Sequence, residues 1–187
     1  MIPPQPRDPR ESALGLQVSA ALNVVCQIAA VVLLLAGLPD RAVLPGVLAQ
    51  VFLVIGYIVG AVWFRRCWAN AALLADDPLP FGPGRALAGW LVPVLSVWMR
   101  WRLLLALRRA GEAPVSATTV HLWWGLHLAA GAVAVAGMLG IRTVGTLLGS
   151  TVLSAASAVV FVLIARRITA RQVELLPPAP AAEPVAV

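Results

Sequence analysis

Four apolar runs that contain no Asp, Glu, Lys or Arg constrain the fold of this chain more than any other feature. They cover residues 14–38, 47–64, 119–139 and 143–165. Each is close to the roughly 20 residues that an α-helix needs to cross the hydrocarbon core of a bilayer. Charged residues make up only 12% of the chain, about half their usual share in soluble domains, so polar surface cannot cover these runs. The sequence predicts an all-α membrane protein with four transmembrane helices.

A fifth apolar stretch, GWLVPVLSVWMRWRLLLALRR, differs from the four runs because arginines and a proline interrupt it. Only fourteen residues separate Arg85 from Arg100, which is short for a span but typical of a re-entrant or interfacial segment. Pro93 breaks the helical hydrogen bonding near the middle of the stretch. We therefore expect a Pro-broken re-entrant or interfacial segment at about residues 85–110, which ends in a short basic helix on the cytoplasmic side.

All fourteen basic residues are arginine, and their distribution predicts the orientation. If the N-terminus is cytoplasmic and only the four runs cross, Arg41 and Arg142 lie outside and the other twelve arginines lie inside. This is the positive-inside pattern of multi-pass proteins. The sequence thus predicts a plasma-membrane protein with both termini in the cytoplasm. Its parts are a disordered N-terminus (1–13), a single helical membrane domain (14–172) and a disordered Pro/Ala-rich tail (173–187).

Trp63, Arg66 and Asn70 are spaced to share one face of the second helix, which we expect to continue to about Ala75. A helix broken at Pro93 has free backbone carbonyl groups, which need hydrogen-bond donors at membrane depth. One hypothesis is that Arg66 and Asn70 are those donors and hold the broken segment. The alternative is that Arg66 is a solvated arginine at a helix end. The candidates for this structural docking are Trp63, Arg66, Asn70, Trp90, Pro93, Ser96 and Trp98.

Polar residues inside the spans form a second candidate site. At a rise of about 1.5 Å per residue, Asn23, His127 and Ser157 all lie about 12 Å from the cytoplasmic ends of their helices. They form either a polar pocket in the inner half of the bundle or interhelical hydrogen bonds that hold the bundle together. The candidates for this intramembrane polar layer are Asn23, Gln27, His127, Ser154 and Ser157.

The short basic helix carries four candidates for lipid headgroup contact: Arg100, Arg102, Arg108 and Arg109. Arg102 and Arg109 share a side of this helix, whereas Arg100 points nearly opposite. One interpretation is contact with anionic lipid headgroups. The other is plain topological anchoring, in which the arginine stems lie along apolar surface and the guanidinium groups reach the interface.

No catalytic constellation is visible in the sequence, so we expect neither enzymatic activity nor a cofactor or metal. The eight carboxylates all lie in loops or tails, and there is no zinc motif, phosphate-binding glycine loop or nucleophile with a nearby base. The leading hypothesis is a scaffold or interaction partner that acts through its cytoplasmic face. The alternatives are, in order, a small transporter or channel-like protein that uses the polar layer, and a lipid-acting membrane enzyme. The expected partners are membrane lipids with anionic headgroups and a protein partner or further copies of the chain, but no nucleic acid.

Four short motifs carry a family resemblance: WFRRCWAN, GWLVPVLSVW, LWWGL and RRITARQ. From about Val51 to Gln172, the chain resembles the actinobacterial membrane proteins grouped as domain of unknown function 4328. It has Ser96 where the family pattern has Asn, and it reads Met99-Arg100-Trp101 where the family has a second proline. The resemblance implies the membrane architecture but no activity, because the family has no established biochemical function.

Overall fold

The computed structural model describes residues 6–141 and 143–176, except the side chains of residues 93 and 94. In this part the chain is helical throughout, with six helices joined by short connections. They are α1 (Arg10–Leu35), α2 (Pro39–Leu74), α3 (Pro83–Leu91), α4 (Pro93–Ala110), α5 (Ala117–Met138) and α6 (Val144–Leu175). Four of them, α1, α2, α5 and α6, are long and apolar enough to cross a membrane. The predicted all-α membrane fold with four spanning helices is confirmed.

Three of the spanning helices extend well beyond the predicted apolar runs. α1 begins at Arg10, inside the predicted disordered N-terminus, and α6 continues to Leu175, inside the predicted disordered tail. α2 ends at Leu74, next to the predicted end at about Ala75. The extensions of α2 and α6 meet the start of α1 at one end of the bundle, which we call the terminal end. The rest of both predicted tails, residues 1–5 and 177–187, and Arg142 lie outside the described residues.

The tightest packing lies at the terminal end. The largest fully buried apolar side chains there are Trp63, Phe64, Leu103, Leu104, Leu107, Ile164 and Ile168, from α2, α4 and α6. Along the rest of the spanning helices, large apolar side chains such as Val54 and Val152 are exposed. Exposed apolar surface on this scale is expected where lipid, rather than water, covers the helices.

The four spanning helices are not packed as a closed ring. α1 packs against α2 and α6, and α5 packs against α6. Within the described part of the chain, α2 and α5 do not pack extensively against each other. α4 instead contacts both α2 and α5, so it fills the space between them at the terminal end.

α3 and α4 are two separate helices because the chain is extended at Val92, with φ −74° and ψ 119°. Pro93 is the first residue of α4, where a missing N–H costs nothing and its fixed φ suits the helix. The basic helix therefore begins at Pro93 rather than after it. Gly89 permits the two helices to fold back on each other, because a Cβ at this position would lie 2.9 Å from Sδ and Cε of Met99.

Candidate functional site

A cavity of about 330 Å³ lies within the bundle, and residues from all six helices line it. Its volume falls at the lower end of the range for small-molecule sites, about 300–1,000 Å³. The polar wall residues are Asn23, Gln27, Tyr57, Arg100, His127, Ser154 and Ser157. The rest of the wall is apolar or aromatic and includes Phe52, Trp90, Trp123 and Phe161.

All five candidates for the intramembrane polar layer lie in the wall of this cavity. One of them, Asn23, also makes a hydrogen bond of the alternative kind, which holds the bundle together. Asn23 Nδ2 donates to the carbonyl oxygen of Ala49 at 2.6 Å, which links α1 to α2. Gln27 Nε2 donates to Asn23 Oδ1 at 2.9 Å. The polar layer thus combines one interhelical hydrogen bond, from Asn23 of α1 to α2, with polar wall residues on α5 and α6.

Arg100 supplies the positive charge of the cavity. Its side chain turns into the bundle, and the residue is only 8% exposed. The guanidinium carbon lies over the Tyr57 ring, 5.0 Å from its centroid, and 5.6 Å from that of Trp90. Nη1 lies 3.5 Å from Nε2 of His127. Stacking on aromatic faces is favourable for a guanidinium and fixes the plane of the group.

No carboxylate among the described residues forms an ion pair with Arg100, and none lines the cavity. The ion pairs that are present involve Arg66 with Glu11, and Arg171 with Glu112 and Glu174. Burying an unpaired charge costs several kcal/mol even after relaxation. In addition, Trp90 Nε1 is buried and has no acceptor in the part of the chain that the structure describes. The charge of Arg100 is therefore not neutralised by any carboxylate in the described part of the chain.

A comparison with known protein families finds a match to the part of the chain that carries α2 to α6. The family model described as a domain of unknown function (DUF4328) matches residues 39–175. The chain belongs to this family. No curated protein and no solved structure matches the chain.

The match to the DUF4328 family covers α2 to α6 and begins after α1 ends. It therefore includes Arg100, His127 and the serines of α6, but not the α1 wall that carries Asn23 and Gln27. The predicted resemblance, which began at about Val51, underestimated the N-terminal extent of the family match.

The hypothesis that Arg66 and Asn70 hold the broken segment of this DUF4328 chain is wrong, because both residues bind the N-terminal segment. Asn70 Oδ1 accepts from the backbone N of Arg7 at 2.8 Å, and its Nδ2 donates to the Arg7 carbonyl at 2.7 Å. Arg66 Nη1 donates to the carbonyl oxygen of Asp8 at 2.8 Å. Both residues face the start of α1, so they fix the N-terminal segment on α2 instead.

Among the other docking candidates, Trp90 holds the broken segment on α2. Trp90 stacks on Phe64 of α2 with ring centroids 4.7 Å apart and an interplanar angle of 10°. Ser96 is buried, and its backbone N donates to the Val92 carbonyl at 2.7 Å. Trp63 lies on α2 and links to α6, because its Nε1 donates to Thr169 Oγ1 at 2.9 Å. Trp98 is 67% exposed, and the Pro93 side chain is not among those that the structure describes.

The four candidates for headgroup contact are not equivalent. Arg102 and Arg109 are exposed, and Arg102 lies over the Trp101 ring, 5.4 Å from its centroid. Arg108 is half-buried, and its Nε donates to the Val115 carbonyl oxygen. Arg100 departs from the predicted interfacial position because it lines the cavity. Its place nearly opposite Arg102 on α4 was the one sequence signal for this difference.

Proposed function

We propose that this chain binds an organic anion inside the membrane bundle, in the manner of a small carrier or receptor. The observation that supports the proposal is the buried guanidinium of Arg100 in a cavity wall that offers no carboxylate. A negatively charged ligand would neutralise this charge.

The chemistry of the site suits a carboxylate or a similar planar or near-planar anion. A guanidinium binds such groups through charge-assisted hydrogen bonds in a fixed geometry. Arg100 Nε is already used in a hydrogen bond to the Trp90 carbonyl oxygen, so the Nη groups are the part of the fork that faces a ligand. In an environment that excludes water, the attraction between the two charges is stronger than at a surface.

The proposal includes an orientation, with the terminal end in the cytoplasm and the protein in the plasma membrane. The arginine distribution supports it. Of the fourteen arginines, only Arg41 and Arg142 lie in the sequence next to the α1–α2 and α5–α6 connections, at the end of the bundle opposite the terminal end. The cavity would then lie in the inner half of the membrane, with Arg100 on its cytoplasmic side. Interfacial Arg102 and Arg109 would contact anionic headgroups.

A scaffold function through the cytoplasmic face stays a prediction with less support. It relied on tryptophans clustered at that face, but Trp63, Trp68, Trp90 and Trp123 are buried within the domain. They pack the terminal end rather than form a surface for a partner. The proposed function is binding rather than catalysis, and it requires no metal or cofactor.

Equilibrium binding to purified protein in phosphatidylcholine nanodiscs tests the proposal. The ligands are radiolabelled benzoate, octanoate, palmitate and inorganic phosphate. Arg100→Gln removes the buried charge, and Arg102→Gln is the matched control on the same helix. Losing one partner of a buried charged hydrogen bond costs about 2–5 kcal/mol, so the Kd should rise at least about 30-fold in Arg100→Gln. Equal affinity in Arg100→Gln and the native protein would contradict the proposal.

A further inference from the structure

The cavity has an open side between α2 and α5. Its wall residues Leu53 and Tyr57 on α2 are 39% and 38% exposed. Across the gap, the wall residues Gly131 and Ala134 of α5 are exposed as well. The helix pairs α1–α2, α1–α6 and α5–α6 close the other sides. This opening lies on a surface of apolar spanning helices, so it leads to lipid rather than to water.

Toward the terminal end, aromatic side chains close the cavity. Trp90 and Trp123 are each only 4% exposed. Phe161 lies between them, with its ring centroid 5.0 Å from that of Trp123 and 5.9 Å from that of Trp90. α3, which carries Trp90, packs on α2, and α4 packs on both α2 and α5 at this end. A ligand that came from the water at the terminal end would have to displace the best-packed part of the molecule.

The charge of the site also limits the ligand. Arg100 is the one ionised side chain in the described wall, so a monovalent head matches it better than a doubly charged one. The volume of about 330 Å³ holds on the order of eleven non-hydrogen atoms, at about 30 Å³ for each water-sized group. That is the size of a carboxylate with part of one acyl chain.

We infer that the ligand is a long-chain carboxylate, which enters from the bilayer through the gap between α2 and α5 and places its head on Arg100. The inference rests on the proposed anion binding and specifies its ligand class and route. The first part of the chain would lie against Phe52, Ala130 and Ala158 of the wall. The remainder would run out between Tyr57 and Gly131 into the lipid. The guanidinium of Arg100 complements the carboxylate, and the apolar and aromatic part of the wall complements the acyl chain.

Gly131 offers a direct test of the route. A Cβ built on Gly131 has no heavy atom within 4 Å, and the same is true of Gly125 on the same helix. Gly131 lines the cavity and Gly125 does not. Gly131→Leu therefore places a side chain in the opening, while Gly125→Leu is the matched control outside it. Leucine favours a helix more than glycine does, so neither change should impair folding.

The experiment measures binding of tritiated palmitate to the full chain in phosphatidylcholine nanodiscs. We expect Arg100→Gln to weaken palmitate binding at least about 30-fold, as above, Gly131→Leu to weaken it at least about tenfold, and Gly125→Leu to leave it within about twofold. Hexadecanol, which has the chain without the charge, should bind at least tenfold more weakly than palmitate. Butyrate, which has the carboxylate but only a short chain, should also bind at least about tenfold more weakly than palmitate.

The possible failures are distinguishable. If butyrate or benzoate binds as tightly as palmitate, depends on Arg100 and ignores Gly131→Leu, the proposed anion binding stands and the acyl ligand with lateral entry is overturned. If palmitate binds equally well to the native protein and to Arg100→Gln, both the inference and the proposed function are overturned. The same holds if none of the tested anions binds the native protein.

Discussion

Nε of Arg100 donates a hydrogen bond to the backbone carbonyl oxygen of Trp90 at a distance of 3.1 Å. The two residues lie on opposite sides of the break at Val92, so this bond joins α4 back to the end of α3. A carbonyl near a helix break has lost its usual donor and must find another where water is scarce. One side chain thus caps the broken helix and also supplies the charge of the cavity.

Close packing between α3 and α4 predicts that Gly89 tolerates no side chain. In Gly89→Ala the new Cβ would lie 2.9 Å from Met99 Sδ and 3.0 Å from Met99 Cβ, and the second atom cannot move away by a rotamer change. Overpacking of this kind typically costs about 1–3 kcal/mol, so the thermal midpoint of unfolding in nanodiscs should fall. Gly84→Ala in the same helix is the control, because a Cβ there meets no atom within 4 Å. Equal midpoints for the two variants would contradict the packing described.

Asn70 should determine whether the N-terminal segment stays bound to α2. Asn70→Ala removes both hydrogen bonds to the Arg7 backbone, and the Arg7 amide loses its acceptor. We expect much faster hydrogen exchange at residues 7–12 and a loss of about 1–3 kcal/mol of stability, the cost of unsatisfied polar groups. Arg66→Gln should have a smaller effect, because the hydrogen bond of Arg66 to the Asp8 carbonyl and its 4.0 Å contact with Glu11 are both exposed to solvent. If exchange at residues 7–12 is unchanged in Asn70→Ala, the segment is held by other contacts.

Two buried tryptophans should respond differently to the same substitution. Trp63→Phe removes the hydrogen bond to Thr169 Oγ1 and leaves that hydroxyl without its donor. Trp90→Phe removes an N–H that has no acceptor among the described residues. Since both changes remove a similar volume, we expect Trp63→Phe to lower the free energy of unfolding by about 1 kcal/mol more than Trp90→Phe does. Thr169→Val completes a double-mutant cycle for Trp63, and a coupling energy near zero would argue against the bond.

Single cysteines test the proposed orientation. The background is Cys26→Ala with Cys67→Ala, and the labelled positions are Glu112→Cys at the terminal end and Asp40→Cys at the other end. Both positions are exposed. On intact cells an impermeant maleimide should react with Asp40→Cys, while Glu112→Cys should react only after the membrane is opened. Labelling of Glu112→Cys from outside would reverse the orientation and place the cavity nearer the outer face.

The four spans could be predicted from the sequence because lipid imposes a strong and local requirement on each helix. A run of about 20 residues without charge has few other stable environments, so residues 143–165 identify α6 without knowledge of its neighbours. The break at Pro93 is local in the same sense. The direction in which the Arg100 side chain points is not determined by the nearby sequence, because it depends on how α4 docks between α2 and α5. Sequence spacing placed Arg100 opposite Arg102 on the helix, but it could not show which side faces the bundle.

The roles of Arg66 and Asn70 illustrate the same limit. The need for donors at the broken helix was a sound expectation, since Arg100 meets it at the Trp90 carbonyl. The choice of donor was wrong because Asn70 faces the N-terminal segment, whose position could not be derived from a Pro-rich stretch without helical periodicity. The open side of the cavity between α2 and α5 could not be predicted either, because it depends on which pairs of helices pack against each other and which do not.

The length of α2 has a consequence for how the molecule is stabilised. Its 36 residues span about 54 Å at 1.5 Å per residue, whereas the hydrocarbon core of a bilayer is about 30 Å thick. Because Arg65 and Arg66 end the apolar run of α2, the part that follows, with buried Trp68 and Ala71, is the part expected to extend into an aqueous phase. One continuous helix thus crosses two solvents. Water drives the burial of side chains at its terminal end, and lipid takes the place of neighbouring helices along the rest.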